Sequence, residues 1–328
     1  MEIKKKGSMS GRVMGFVLNN KALMILIVLM AVAQLASQGL FLTYANLSSV
    51  SRQVAVSMLL GFGFTVVLAS GGLDLSVGNM LSCIGVLYAL YTRAMPLPFA
   101  LLLALLSGAA LGLFNGLIAV KLHLTPFTVT LATAQIFKSI AYLLTDGKSV
   151  TGMSDAVRYI GQGLVFDVIP LSILIAVIMC LIMCVVMYRT GYGRHIIATG
   201  GNEEASRVSG IDVDKIKISA YVVMGLFAAM GGIVLTGRVS MAAPGAGEGM
   251  EMDAVAAVVI GGTPLSGGRG KMGGTIFGCL VMGVMNNLLN LTGVSSFWQW
   301  FAKGCIIILA IFLDAQTESF LKRRQIAK

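Results

Sequence analysis

Few residues in this chain have the type and spacing to do chemistry. His123 and His195 are far apart, with no triad or zinc-ligand spacing around either. GRGKMG, from Gly268 to Gly273, formally fits the dinucleotide-binding pattern, but it stands between apolar runs rather than in a βαβ unit. No acid follows it at the distance where a ribose partner belongs. It is no phosphate-binding loop either, because Leu265 and Met272 stand where that loop needs a glycine and a hydroxyl residue. Cys180 and Cys184 are one helical turn apart, with no histidine or carboxylate nearby to complete a metal site. Like Cys83, Cys279 and Cys305, they lie in apolar stretches and read as small apolar filler. The sequence predicts no catalytic residue, no metal site and no cofactor of the chain's own.

The remaining polar candidates sit in or beside apolar runs. Asp74 and Ser76 lie in GGLDLSVG, Gly71 to Gly78, which matches GGTPLSGG, Gly261 to Gly268, at five of eight positions. Both follow a β-branched apolar run and precede another apolar segment, the pattern of an internal duplication or of a recurring helix break. Such breaks free backbone groups for a polar solute, or let helices pack closely. Asp74 is either a gate residue or, with Ser76, a cap for the amides that open the next helix. Asn115, Gln135, Asn286, Asn287 and Asn290 are polar groups within spans, suited to interhelical hydrogen bonds or to coating a solute path. Lys138 is an intramembrane charge, either functional or snorkelling to an interface.

The elements that must position these residues are membrane spans. Of 328 residues, 57% are hydrophobic and only 12% charged, about half the roughly 25% charge of a soluble domain. Forty glycines and long apolar runs accompany the low charge. A soluble enzyme, a disordered chain and a nucleic-acid-binding domain are excluded, despite a net charge of +10. The expected fold is an all-α polytopic membrane protein with about ten transmembrane helices, at 22–42, 54–70, 79–91, 97–120, 124–145, 169–188, 219–237, 250–262, 275–292 and 297–313. The segments 79–91 and 250–262 fall short of the roughly 17 residues of a full crossing, as in broken or re-entrant helices. The first run is long enough to span and has no cleavage site of signal-peptide type.

With both termini cytoplasmic, 17 lysines and arginines fall on the inner side and four on the outer, as the positive-inside bias requires. Trp298 and Trp300 then begin the last span at the outer interface. The chain reads as one transmembrane domain, 1–328, with cytoplasmic tails at 1–21 and 314–328 and a cytoplasmic loop at 189–218. In that loop Asn202 is a natural N-cap, Glu203 and Glu204 suit the first turn, and Gly210 can end the helix in the left-handed conformation. A helix of about two turns is too short to stand alone. It either docks on a partner or packs on its own protein.

Longer blocks carry a family likeness. LASGGLDLSVG, NGLIAVKLHLTPF, YGRHIIATGGNEEASRVSGIDVDKIKI, EMDAVAAVVIGGTPLSGGRGKMGGTIFG and FWQWFAKGCIIILAIFLD resemble the permease subunits of bacterial monosaccharide ABC importers, most of all the ribose and galactose types. The resemblance runs from about residue 50 to 315. It implies a type II importer fold and a second permease copy, identical or paralogous. It also implies two ATP-binding subunits that hold the ATP and magnesium, an extracytoplasmic sugar-binding protein, and a place in the bacterial inner membrane. By the same resemblance, Gly201, Asn202, Glu203, Glu204, Ala205, Ser206, Arg207, Val208 and Gly210 form the ATPase-coupling helix. Asp74, Ser76, Asn115, Asn286 and Asn287 are pathway or gate candidates. Glu248, Glu251 and Asp253 are candidates for docking the binding protein.

The expected function is therefore a transport subunit, not an enzyme, passing a monosaccharide across the membrane. The alternatives are a permease for a nucleoside, a signalling furanosyl compound or a branched-chain amino acid, and an ion-coupled secondary transporter. The last would require a buried carboxylate set for its coupling ion, and Asp74 has no evident partner in the sequence.

Overall fold

The computed structural model describes residues 21–295, 297–305, 308 and 312. Both expected tails, apart from Lys21, and much of the expected last span lie outside the described residues. The described chain is helical almost throughout. Helix α1 covers Lys21–Ala36, α2 Tyr44–Ala69, α3 Val77–Ala94, α4 Leu97–Lys121 and α5 Pro126–Thr145. After them come the short α6 Asp155–Gln162, the two-residue strands β1 Leu164–Val165 and β2 Ile169–Pro170, and α7 Leu171–Arg189. Helices α8 Gly191–Gly201 and α9 Glu203–Val208 lead into α10 Val213–Val239, then α11 Met250–Ile260 and α12 Met272–Leu291. Residues 297–305 are helical again.

Among the described residues, six helices are long and apolar enough to cross a membrane: α2, α4, α5, α7, α10 and α12. This is fewer than the ten expected segments. α1 has 16 residues and α11 has 11, while Asn79 and Arg93 make α3 more polar. The two segments expected to be short part company. The segment expected at 79–91 is an 18-residue helix, whereas that at 250–262 stays a half-length one.

The first boundary also differs from the sequence reading. The apolar run 22–42 is cut at Ala36, because Ser37 and Gln34 accept backbone bonds from Phe41 (2.9 Å) and Leu42 (3.0 Å) and turn the chain. The polar residues 44–53, expected as a loop, are instead the first turns of α2.

Helix α10 is the hub, packed on α2, α3, α4 and α6. Its contact with α4 rests on Gly108, Gly112 and Gly116, one helical turn apart, where any Cβ would press on the backbone of Ile218, Tyr221 or Gly225. This small-residue stripe lets two helices meet backbone to backbone without a hydrophobic driving force between them. α2 is buried along most of its length, whereas α4 and α7 turn leucines, isoleucines and valines outward, among them Leu102, Leu106, Leu117, Leu181 and Val185. An apolar exterior over a core that contains Asp74, Asn115 and Thr65 is the arrangement of a protein solvated by lipid.

The molecule has two ends. At one, Arg93 bonds the Thr151 carbonyl (2.6 Å), Val150 pairs with Ala242, and Gln162 bonds the Arg238 carbonyl (2.8 Å). At the other, α8 and α9 meet the two glycine-rich breaks.

Candidate functional site

At the α9 end, three distant glycine segments converge. The Gly268 amide donates to the Ala69 carbonyl at 3.1 Å, and Gly200, at the end of α8, sits against both. A Cβ on Gly200 would overlap the Ala69 oxygen and come within 2.7 Å of the Gly268 nitrogen. The first break, the second break and the loop that carries α9 are therefore in backbone contact.

α9 itself is built as its residues dictate. The Asn202 Oδ1 accepts from the Ala205 amide (2.9 Å), Glu203 and Glu204 fill the first turn, and Gly210 follows with φ of +83°. An alternating chain of charges fastens it to the body. Lys217 bonds Glu203, Arg207 reaches Glu203 (3.1 Å) and Asp214 (2.7 Å), and Lys121 reaches Asp214 (3.0 Å). The hydrogen bond from Lys217 first, and that from Arg207 after it, holds the Glu203 carboxyl below its ordinary range. Ser206 is buried, but Glu204, Ala205 and Val208 face outward, Val208 at 90% exposure. A cleft of about 210 Å³ lies beside it, lined by Gly71, Gly72, His123, Glu203, Arg207, Lys217 and Tyr221.

Tyr221 leads from that cleft to the pathway candidates, donating to the Leu73 carbonyl at 3.2 Å. The next residue, Asp74, is fully buried. Its Oδ1 accepts from the Ser76 amide (2.9 Å) and hydroxyl (2.6 Å), and Asn115 donates to its Oδ2 (3.3 Å) and to the Ser76 Oγ (2.8 Å). The Leu75 amide is taken by Thr130 at 3.1 Å. Asp74, Ser76 and Asn115 thus form one cluster that closes the first break with side chains from α4 and α5. Asp74 binds the freed Ser76 amide, while Ser76, at the start of α3, makes no capping bond of its own.

Four of the other five candidates, Glu248, Glu251, Asp253 and Asn286, gather around the amino end of α11. Gly247 is buried against α3, where its amide donates to the Ser82 hydroxyl oxygen (2.7 Å), and a Cβ on Gly78 would overlap both the Gly247 carbonyl and Glu251. Glu248 pairs with Lys138 (2.8 Å), whose ammonium also lies 5.8 Å from the Tyr142 ring. Asp253 Oδ2 accepts from Lys303 (2.8 Å) and from Asn286 (3.4 Å). The three acids read as docking residues are therefore in intramolecular contacts, and one of them is joined to the pathway candidate Asn286. Asn287, next to it, points elsewhere and exchanges amide bonds with Asn46 on α2 (2.8 and 3.0 Å). Lys303 and Asn46 escaped sequence reasoning, one as a charge at a span end and the other as a residue of an expected loop.

No group of three or more histidine, cysteine, aspartate and glutamate side chains among the described residues is arranged to hold a metal ion. Six apolar helices long enough to cross a membrane, packed around buried polar residues, define a multi-pass membrane protein. The chain belongs to the branched-chain amino acid transport system / permease component family, whose model matches residues 46–311. It is 41% identical over 277 residues to the ribose import permease protein RbsC of Bacillus subtilis, covering 84% of this chain and 86% of that one. It is 37% identical over 304 residues to the ribose import permease protein RbsC of Haemophilus influenzae, covering 91% and 94%. It is 30% identical over 344 residues to the xylose transport system permease protein XylH of Escherichia coli, covering 86% and 88%. No solved structure matches the chain.

Proposed function

We propose that this chain is the membrane-spanning permease subunit of an ATP-driven importer and carries a monosaccharide inward. The observation that carries the reading is the 41% identity to a ribose import permease over 84% of the chain. The family description names branched-chain amino acids, but the relatives aligned over most of the chain are named for ribose and xylose. A pentose is accordingly the first substrate to test, and leucine the counter-substrate.

In this reading α9 is the coupling helix. Ala205 and Val208 face a groove on an ATP-binding subunit, and movement there reaches both helix breaks through Gly200. A second permease copy, identical or paralogous, two ATP-binding subunits holding ATP and magnesium, and an extracytoplasmic binding protein complete the complex. The chain lies in the inner membrane with both termini cytoplasmic and crosses about ten times in a type II arrangement, α1, α3, α11 and the segment from 297 adding to the six long helices. The charge asymmetry of 17 to four supports that orientation.

The test is uptake in vesicles holding the permease with its co-encoded ATP-binding subunit and binding protein. ATP-dependent accumulation of labelled ribose or xylose, with no leucine uptake, is the expected result. Leucine uptake without sugar uptake overturns the assignment. In the same vesicles a cysteine at Ser209, in a cysteine-free background, should react with an impermeant maleimide only from the cytoplasmic side. One at Ser154 should react only from the other side.

A further inference from the structure

We infer that the amino end of α11, with Asp253, Asn286 and Lys303, is a transient binding site for the hydroxyl groups of the transported solute. The inference rests on the sugar-permease reading and deepens it.

Asp253, Asn286 and Lys303 come from three separate helical segments, and the contact between them is made by side chains alone. Asn286 is nine-tenths buried. Its amide nitrogen must face Asp253, since only a donor can approach a carboxylate, so its Oδ1 points away, buried and without a hydrogen-bond partner among the described residues. Asp253 Oδ1 and Glu251 Oε2 are in the same condition. A buried oxygen without a donor is costly, and native structures leave few of them. Here three occur within four residues of a helix start and its contact. All three are acceptors.

The charge balance narrows what would satisfy those of Asp253 and Asn286. Lys303 neutralises Asp253 at 2.8 Å, so the pair offers little attraction to an ion. The ammonium has three donors, and among the described residues one bond, to Asp253, is formed. Spare acceptors beside spare donors on a neutral pair fit a group that both donates and accepts. That group is an uncharged hydroxyl, and two or three adjacent ones on a small ring would engage Asp253 Oδ1, Asn286 Oδ1 and Lys303 together. The Lys303 and Asp253 side chains are only 24% and 15% exposed, and a carboxylate and a lysine so far withdrawn from solvent otherwise carry a desolvation cost.

The test uses the complete reconstituted importer and measures sugar moved per ATP hydrolysed, with loaded binding protein at saturation. Asn286→Leu should lower that ratio about tenfold, since one lost buried acceptor is worth about a decade in rate. The neutral double variant Asp253→Asn with Lys303→Gln keeps a bonded pair and should lower the ratio as well. Glu251→Gln serves where either of these does not assemble, and its ratio should also fall. A wild-type ratio in every variant that assembles overturns the site and leaves the permease assignment standing. Absence of sugar uptake by the unaltered complex, with its binding protein loaded, overturns the permease reading and this site with it.

Discussion

The α9 region and the amino end of α11 are made from similar residues and built to opposite rules. Around α9, acids and bases alternate so that Glu203 and Asp214 each take two cations, and the exposed end of the helix is capped by Asn202. Around α11, Glu251, Asp253 and Asn286 keep buried oxygens without donors. A satisfied network holds one arrangement and moves as a unit, which suits an element that passes displacement to its neighbours. An unsatisfied one is stabilised by whatever brings donors, which suits an element that meets a solute. Close backbone contact at Gly200 separates the two tasks: it ties α9 to the helix breaks without lending any polar group to the path.

The largest effect that would break this comparison is at Gly200. Gly200→Ala puts a methyl group into the Ala69 carbonyl and against the Gly268 amide, both backbone atoms with no rotamer to give way. We expect a loss of about 3 kcal/mol, in the range of severe overpacking. Thermal unfolding of the purified permease should show it as a markedly lowered midpoint. An unchanged midpoint would mean that α8 and the breaks are not pressed together, and that α9 has no mechanical route inward.

A smaller change separates docking from folding. Ala205 is exposed and Val208 almost fully so, and neither supports the body of the protein. Ala205→Trp should leave the permease's own stability within about 0.5 kcal/mol, as for surface substitutions generally. It should reduce co-purification of the ATP-binding subunit and abolish sugar-stimulated ATP hydrolysis. Full association and transport by this variant would remove the coupling role from α9.

How much of this was legible in the sequence follows from the range of the interactions. The α9 cap is local: Asn202, Ala205 and Gly210 lie within one motif, so residue type alone predicts the helix and its ends. The short α11 was legible for a similar reason, its apolar run being bounded by glycine on both sides. The turn at 37–43 was hidden because the run stays apolar through it, and side chains of Gln34 and Ser37 make the break. The α11 cluster joins Asp253 to Asn286 and Lys303, 33 and 50 positions away. No periodicity encodes such a meeting. Asp253 stood out only as one of three acids expected to dock a binding protein, Asn286 as a polar residue within a span, and Lys303 as one more charge near a span end. The same holds for Asp74: its break was visible, but its closure by Asn115 and Thr130 depends on how α4 and α5 pack.

The smallest effect sharpens the comparison at its rigid side. Asn202 Oδ1 takes a single amide, that of Ala205, and α9 is held independently by the charges on Glu203 and Arg207. Asn202→Ala should therefore cost about 1 kcal/mol locally and leave the global midpoint unmoved. The reporter is the Ala205 amide itself, whose hydrogen-exchange protection at neutral pH should fall about fivefold for that cost. Acid probes the other restraint. Glu203 is held below its ordinary value of 4.5 in the folded protein, so its contribution is full above that value and disappears as pH falls through the lowered one. Protection at Ala205, corrected for the intrinsic rate, should thus be flat from neutral pH to about 5 and decline below it, and Glu203→Gln should reduce the decline to the part carried by Asp214, which Lys121 and Arg207 hold low in the same way. If instead Asn202→Ala unfolds α9 outright at neutral pH, the ion pairs do not hold the helix. The contrast with α11 would then lie in one cap and not in a satisfied network.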